Sequence, residues 1–235
     1  MKHLFIVIFS AILLTAASFS AKSQANVLNI NDPDVIFTST NEPALPTWNQ
    51  ISKWGHTNRL SWDPYSYGYL SYYFQGMAFR LKFPKSYKQG VVDGKKYPMF
   101  IFYHGVGEAG NIWDNEYQLF HGGQGFAEAV NDSAFDGFIL VPQSQGGYLQ
   151  SYFPAVSSLI DSMVKYTKLN IDEVTLNGLS GGGQAVWDMP ATQSYAQKVC
   201  SMLPISAADY DTESSFASFI TIPIWTANGG QDVAP

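Results

Sequence analysis

Hydrophobic and polar positions along this chain divide it into short apolar runs and longer segments of helical spacing. Tyr97 to Tyr103 (YPMFIFY) and Gly137 to Pro142 (GFILVP) are nearly unbroken apolar stretches, the character of strands buried on both faces. Val174 to Asn177, with Ile171 ahead of it, predicts another buried strand, and Ser201 to Ile205 and Ile222 to Thr226 predict two more. Gly76 to Pro84 (GMAFRLKFP) alternates apolar and polar residues, as an outer strand does, and leads into a charged, glycine-containing turn from Lys85 to Lys96. Between the strands, Phe126 to Asn131 predicts a short helix and Pro154 to Lys168 an amphipathic one. Strands alternating with helices imply an α/β protein with a mostly parallel sheet covered on both sides. Its sites are expected at the carboxyl ends of the strands.

The N-terminal part follows neither pattern. Lys2 and His3 precede an apolar run from Leu4 to Leu14 and then small residues ending in Ser23-Gln24-Ala25, the layout of a secretory signal peptide cleaved after Ala25. The run is short for a bilayer, which needs roughly 20 apolar residues, so export to the periplasm or outside is expected rather than a retained anchor. From 26 to 75 the sequence is rich in aromatic residues, among them Trp48, Trp54, Trp62, Tyr65, Tyr67 and Tyr69. Alternation in Tyr65-Ser66-Tyr67-Gly68-Tyr69 would put three rings on one face of a strand, either stacking on a sugar or aromatic ligand or packing on the body of the domain. The expected organisation is thus a signal peptide over 1–25, an aromatic-rich extension over 26–75 and an α/β domain over 76–235.

At 235 residues the chain is long enough for one domain with a full core. Hydrophobic residues make up 46% and charged residues 14%, which excludes an intrinsically disordered chain. The formal charge of −6 becomes −8 once Lys2 and Lys22 leave with the signal. There is no basic run, which argues against nucleic acid or an anionic membrane as partner. Cys200 is the single cysteine, so no internal disulfide forms, and its apolar neighbours mark it as a buried small hydrophobe rather than a catalytic thiol. No cluster of histidine and cysteine suggests a metal, and no cofactor is expected.

The chemistry centres on Val174 to Met189 (VTLNGLSGGGQAVWDM). Gly178-Leu179-Ser180-Gly181-Gly182 fits GxSxG with a strand before it and helix-forming residues from Gln184 to Met189 after it, the context of a nucleophile elbow. The serine at such a turn has a strained backbone, and Gly178 and Gly182 keep the flanking positions free of side chains. Ser180 becomes the candidate nucleophile, and the Gly181 amide, in the first turn of the helix, a candidate oxyanion donor.

A second donor is expected from the loop after an earlier strand, and His104-Gly105-Val106-Gly107 stands there, with the Val106 amide as candidate. The triad acid should follow the serine in sequence. Asp232, just past Ile222 to Thr226 and the turn Asn228-Gly229-Gly230-Gln231, is the leading candidate, with Asp209 and Asp211 as the others. The base should come last. Yet His3, His56, His104 and His121 all precede Ser180, so the triad histidine, with a last strand and helix, is expected beyond Pro235.

Taken together, Tyr97 to Glu108 (YPMFIFYHGVGE), Asp114-Asn115 with Gln118-Leu119, Phe138 to Gln143 (FILVPQ), Ile171 to Gly183 with Trp187, and Pro223-Ile224-Trp225 leading to Asp232 resemble secreted α/β-hydrolases. Among these the chain looks like the predicted peptidases and the polyhydroxybutyrate-depolymerase-like or feruloyl-type esterases, similar in outline to dienelactone hydrolases. The resemblance covers about 76–235 and implies a three-layer αβα sandwich. It implies Ser180 as nucleophile, Asp232 as acid, Val106 and Gly181 as oxyanion donors, and Trp187 as a packing residue behind the elbow. Two departures stand out: Gly181 replaces a larger residue, commonly methionine, and Asn228 replaces a frequent histidine. The implied activity is an exported serine esterase acting on small or polysaccharide-linked esters, acetyl or feruloyl, without the membrane as partner. A peptidase of the same fold and a non-catalytic carbohydrate-binding protein are the alternatives, and the oligomeric state is open.

Overall fold

Every other element is arranged about β3 (Tyr97–Tyr103), the apolar run that the sequence marks as buried on both faces. The computed structural model describes residues 60–88, 91–110, 116–146, 148–207 and 217–232. The expected signal peptide, Trp48, Trp54, His3, His56, Asp114, Asn115, Asp209 and Asp211 lie outside the described residues.

The sheet contains β1 (Tyr69–Phe74), β2 (Met77–Lys82), β3, β4 (Phe138–Pro142), β5 (Leu169–Leu179) and β6 (Ser201–Ile205), in the spatial order β1-β2-β4-β3-β5-β6. β3 pairs in parallel with β4 on one side and β5 on the other, and β5 pairs in parallel with β6. β2 runs antiparallel to both β4 and β1. The hairpin between β1 and β2 turns on Gln75 and Gly76, both at positive φ (48° and 83°), as a two-residue turn matched to strand twist requires. The boundary expected at Gly76 therefore falls inside this hairpin, and the sheet begins at Tyr69.

Among the described residues the helices are α1 (Gly123–Asn131), α2 (Phe153–Tyr166), α3 (Gly181–Asp188) and the short α4 (Gln193–Ala196). Period-two alternation along the strands sorts side chains into two cores. Met99, Ile101 and Tyr103 of β3 pack with Val156, Leu159, Ile160 and Met163 of α2 and Ala185 and Val186 of α3. Phe102 faces the other way, with Tyr69, Ile139, Val141 and the α1 residues Ala127 and Val130. This is the three-layer αβα sandwich.

Three expectations need correction. Tyr65 and Tyr67 are in turns rather than a strand: Asp63 accepts the Tyr65 amide on Oδ1 and the Ser66 amide on its carbonyl, and Gly68 sits at φ 84°. Their rings pack on the body of the domain, Tyr65 over the Arg80 guanidinium at 4.8 Å and Tyr67 edge-on to Trp62 at 5.1 Å. Tyr69 is fully buried, its hydroxyl donating to the Gly123 carbonyl at 2.8 Å. A shared face of three ligand-stacking rings does not form. The strand expected over Ile222 to Thr226 is reduced to two isolated parallel bridges, Met202 to Ile224 and Ile205 to Ala227; Pro223 within it has no amide to donate. Cys200 is half-buried, beside the hydroxyls of Thr175 and Ser201, instead of fully inside.

Ile101 is fully buried at the centre of β3, between Leu140 and Leu176. Ile101→Ala should lower the unfolding free energy by about 2–5 kcal/mol, measured by urea denaturation. The exposed Val92→Ala should change it by less than about 0.5 kcal/mol.

Candidate active site

Ser180 stands between β5 and α3 at φ 57°, ψ −119°, a backbone conformation that residues with a side chain rarely adopt. The surrounding packing holds it there. A Cβ on Gly178 would lie 2.1 Å from the Gly182 carbonyl oxygen, and one on Gly182 would lie 2.0 Å from the Tyr103 carbonyl oxygen. The Ser180 amide donates to the Ile205 carbonyl at 2.9 Å, tying the turn to the end of β6. Gly183 meets the same carbonyl, with a Cβ position 2.8 Å away. Helix α3 is thus seated on the ends of β3 and β6, and only glycine fits the contacts. Trp187 packs from α3 against Phe219, with ring centroids 6.1 Å apart.

The turn after β3 abuts the elbow because β3 and β5 are in register to their ends, with Tyr103 opposite Gly178. A Cβ on Gly105 would lie 3.7 Å from Cβ of Ser180. Val106 opens a one-turn 3-10 helix (Val106–Glu108), and Gly181 opens α3. The amides at the first position of a helical turn have no partner within it. Two helical starts therefore flank the serine. Ser180, Gly105, Val106, Gly107, Glu108, Phe120, His121 and Leu179 line one open cleft of about 390 Å³.

His104 is built into the scaffold rather than into the cleft. It is fully buried, with Nδ1 2.8 Å from the Gly105 carbonyl oxygen and Nε2 3.0 Å from the Ser144 amide. An amide only donates, so Nε2 is the accepting nitrogen and Nδ1 carries the proton. With both nitrogens committed, this ring joins the end of β3 to the end of β4 and does not shuttle protons for Ser180. Burial pushes its pKa below 6.5, with the Gly105 carbonyl and then Glu108 pulling the other way.

Asp232 lies at the same rim, two strands along from β3. Its Oδ2 accepts from the Ser206 hydroxyl at 2.7 Å and from the Gly229 amide at 2.6 Å. Ser206 follows Ile205, the residue whose carbonyl holds the Ser180 amide, so the carboxylate is tethered next to the elbow's own anchor. The Ser206 and Gly229 hydrogen bonds hold its pKa below the usual carboxylate value. The side chain is exposed.

Glu108, Phe120 and His121 were not among the candidates from sequence, yet all three face the cleft. Glu108 is buried, its Oε2 accepting the Gly105 amide at 2.7 Å and its Oε1 accepting the His121 amide at 2.9 Å. The His121 Nδ1 is also 2.9 Å from that Oε1. An acid three residues after a turn-starting glycine has the spacing of a capping box, the one local signal that pointed to Glu108. Of the residues expected from sequence, Ser180 and Val106 line the cleft, Gly181 follows the serine at the start of α3, and Asp232 is tied to Ser206 beyond the end of β6 and is not among the lining residues. Among the described residues no group of three or more histidine, cysteine, aspartate or glutamate side chains could hold a metal ion.

Gly182→Ala should destabilise the protein by about 1–3 kcal/mol, because the methyl meets backbone on β3 that cannot step aside; thermal denaturation measures it, and an unchanged melting temperature would contradict this packing. For His104, the ring's contribution to stability is complete above its unfolded-state value of 6.5 and is lost as pH falls through the depressed folded-state value. The urea midpoint should therefore drop between about pH 7 and about pH 5, and His104→Asn should flatten that slope; an equal slope in the variant would count against the assignment.

No family model matches the chain, and no curated protein does. Solved structures do. A thermostable esterase superposes with a TM-score of 0.56 at 23% identity, over 68% of this chain and 46% of that one. The poly(3-hydroxybutyrate) depolymerase LpqC from Bordetella parapertussis superposes with a TM-score of 0.53 at 15% identity, over 81% of this chain and 72% of its own. The chain spans somewhat under half the length of the esterase. Its parallel sheet about β3, the helices on both faces and the serine turn at the end of β5 give this protein the α/β-hydrolase fold.

Proposed function

We propose that this protein is a serine hydrolase of carboxylic esters that works through an acyl-enzyme on Ser180. The observation carrying the proposal is the abutment of two helical starts on a strained serine: Ser180 at φ 57°, with the Gly105 Cβ position 3.7 Å from its own Cβ. In this reading the Ser180 hydroxyl attacks the ester carbonyl and the carbonyl oxygen gains negative charge. The amides of Val106 and Gly181 stabilise that charge, and since they are fixed by the backbone they need no reorganisation as it develops. Asp232 orients the histidine that takes the serine proton and returns it to the leaving alcohol; water then releases the acid by the same steps in reverse order. The chain order of the fold puts that histidine after the acid. The fold shared with a thermostable esterase supports the same class of bond.

The proposal extends to export, on the charge, apolar and small-residue layout of 1–25, and to acetyl or feruloyl esters on polysaccharide as substrates. Ser180→Ala is the direct test in the full-length protein. With 4-nitrophenyl acetate, the parent should release a burst of one nitrophenol per protein molecule, followed by slower turnover. The variant should give neither. A parent without a burst on any short acyl ester would contradict the proposal, and cleavage of a matched anilide as fast as the ester would move it to a peptidase.

A further inference from the structure

The Glu108–His121 pair occupies the wall of the Ser180 cleft but has no part in the acyl-transfer chemistry above. Its geometry is tightly specified. Glu108 is 3% exposed and its two carboxylate oxygens are divided between two segments: Oε2 takes the Gly105 amide, Oε1 the His121 amide and the His121 ring nitrogen Nδ1. His121 sits on a short connection between two helical pieces, Tyr117–Leu119 and α1, with the fully buried Leu119 on one side and Gly122 at φ 89° on the other. The neighbouring Phe120 ring meets the imidazole edge-on, with centroids 4.7 Å apart at 90°. The residue is thus held at its backbone amide and at Nδ1, with the Phe120 ring packed against the imidazole, while its side chain stays 54% exposed.

A carboxylate only accepts hydrogen bonds, so Nδ1 must carry the proton. In the uncharged ring the lone pair is then on Nε2, on the side of the imidazole away from Glu108. A fixed acceptor in the same cleft as a reacting serine distinguishes substrates by what they can donate to it. Phe120, Val106 and Leu179, which line the same cleft, supply apolar contact and offer no competing side-chain polar group. We propose that His121, held in one tautomer by Glu108, is a specificity-determining residue that accepts a hydrogen bond from a hydroxyl carried by the substrate close to its scissile ester. The substrate class is therefore a hydroxyl-bearing ester. This inference rests on Ser180 being the reactive group of the cleft. Glu108 is the positioning residue: the carboxylate that aims the imidazole also holds the turn presenting the Val106 amide, so recognition and oxyanion binding share one support.

The test uses matched esters differing only in the donor: 2-hydroxyethyl acetate against 2-methoxyethyl acetate, and ethyl glycolate against ethyl methoxyacetate. The full-length protein should favour the hydroxyl member of at least one pair by about tenfold in kcat/KM, the value of one good hydrogen bond. His121→Phe should bring that ratio close to one. Glu108→Gln should lower the ratio and also lower kcat on both members of the pair. A parent without preference in either pair, or a preference that survives in His121→Phe, would overturn the proposal. A second measurement is independent of turnover. In Ser180→Ala labelled with 15N-histidine, the hydroxyl ester should shift the His121 Nε2 resonance and the methyl ether should not. Equal responses would overturn the proposal even if the protein proves to be an active esterase. A selective shift in a protein that never turns over would retain His121 as the recognition group while removing the proposed hydrolase.

Discussion

Backbone-to-backbone contact between α3 and the end of β3 is the constraint from which the candidate site follows. Gly182 lies so close to the Tyr103 carbonyl that a methyl group would sit 2.0 Å from it, and Gly178 lies as close to the Gly182 carbonyl. Because these atoms are backbone, no side-chain rearrangement relieves a substitution. The contact forces the chain to reverse within one residue, and that residue is Ser180, at positive φ. Strain of this kind persists only where the surroundings over-determine it. Here the Ile205 carbonyl on the Ser180 amide and the seat of Gly183 on β6 do so.

The same geometry carries the electrostatics. β3 and β5 end in register, so the turns that leave them start side by side and each begins with a helical turn whose first amides are unused within it. Glu108 and His104 secure the first of these turns from opposite sides, one by accepting the Gly105 amide and the other by placing Nδ1 on the Gly105 carbonyl. Gly105 is therefore held at both its polar atoms. A donor group fixed so firmly loses little freedom when charge develops opposite it, which is the physical basis of oxyanion stabilisation by backbone.

What was legible in the sequence was whatever depends on neighbours in the chain. The apolar runs of β3 and β4, the helical spacing of α2 and the glycines about Ser180 each have a local cause, and each appears where the pattern put it. In Tyr65 to Tyr69 turn chemistry overrides alternation: Asp63, Pro64 and Gly68 bend the chain before the strand begins. β5 is longer than its apolar run: its first half, through Asn170, Asp172 and Glu173, is polar, and pairing of Leu169 with Tyr97 of β3 extends the strand regardless. Chain order argues against His121 as the triad base, because it precedes the serine. Its place in the cleft comes from a contact with Glu108 thirteen residues away, and no local pattern encodes the imidazole's orientation.

The central claim is that Ser180 and the amides of Val106 and Gly181 form one oxyanion-binding constellation. A crystal structure of the protein reacted with an alkyl fluorophosphonate examines all three groups at once. The account predicts a single adduct on Ser180 Oγ with its phosphoryl oxygen about 2.7–3.1 Å from both amide nitrogens. An adduct on another residue, or one on Ser180 whose phosphoryl oxygen points away from both amides, would contradict it.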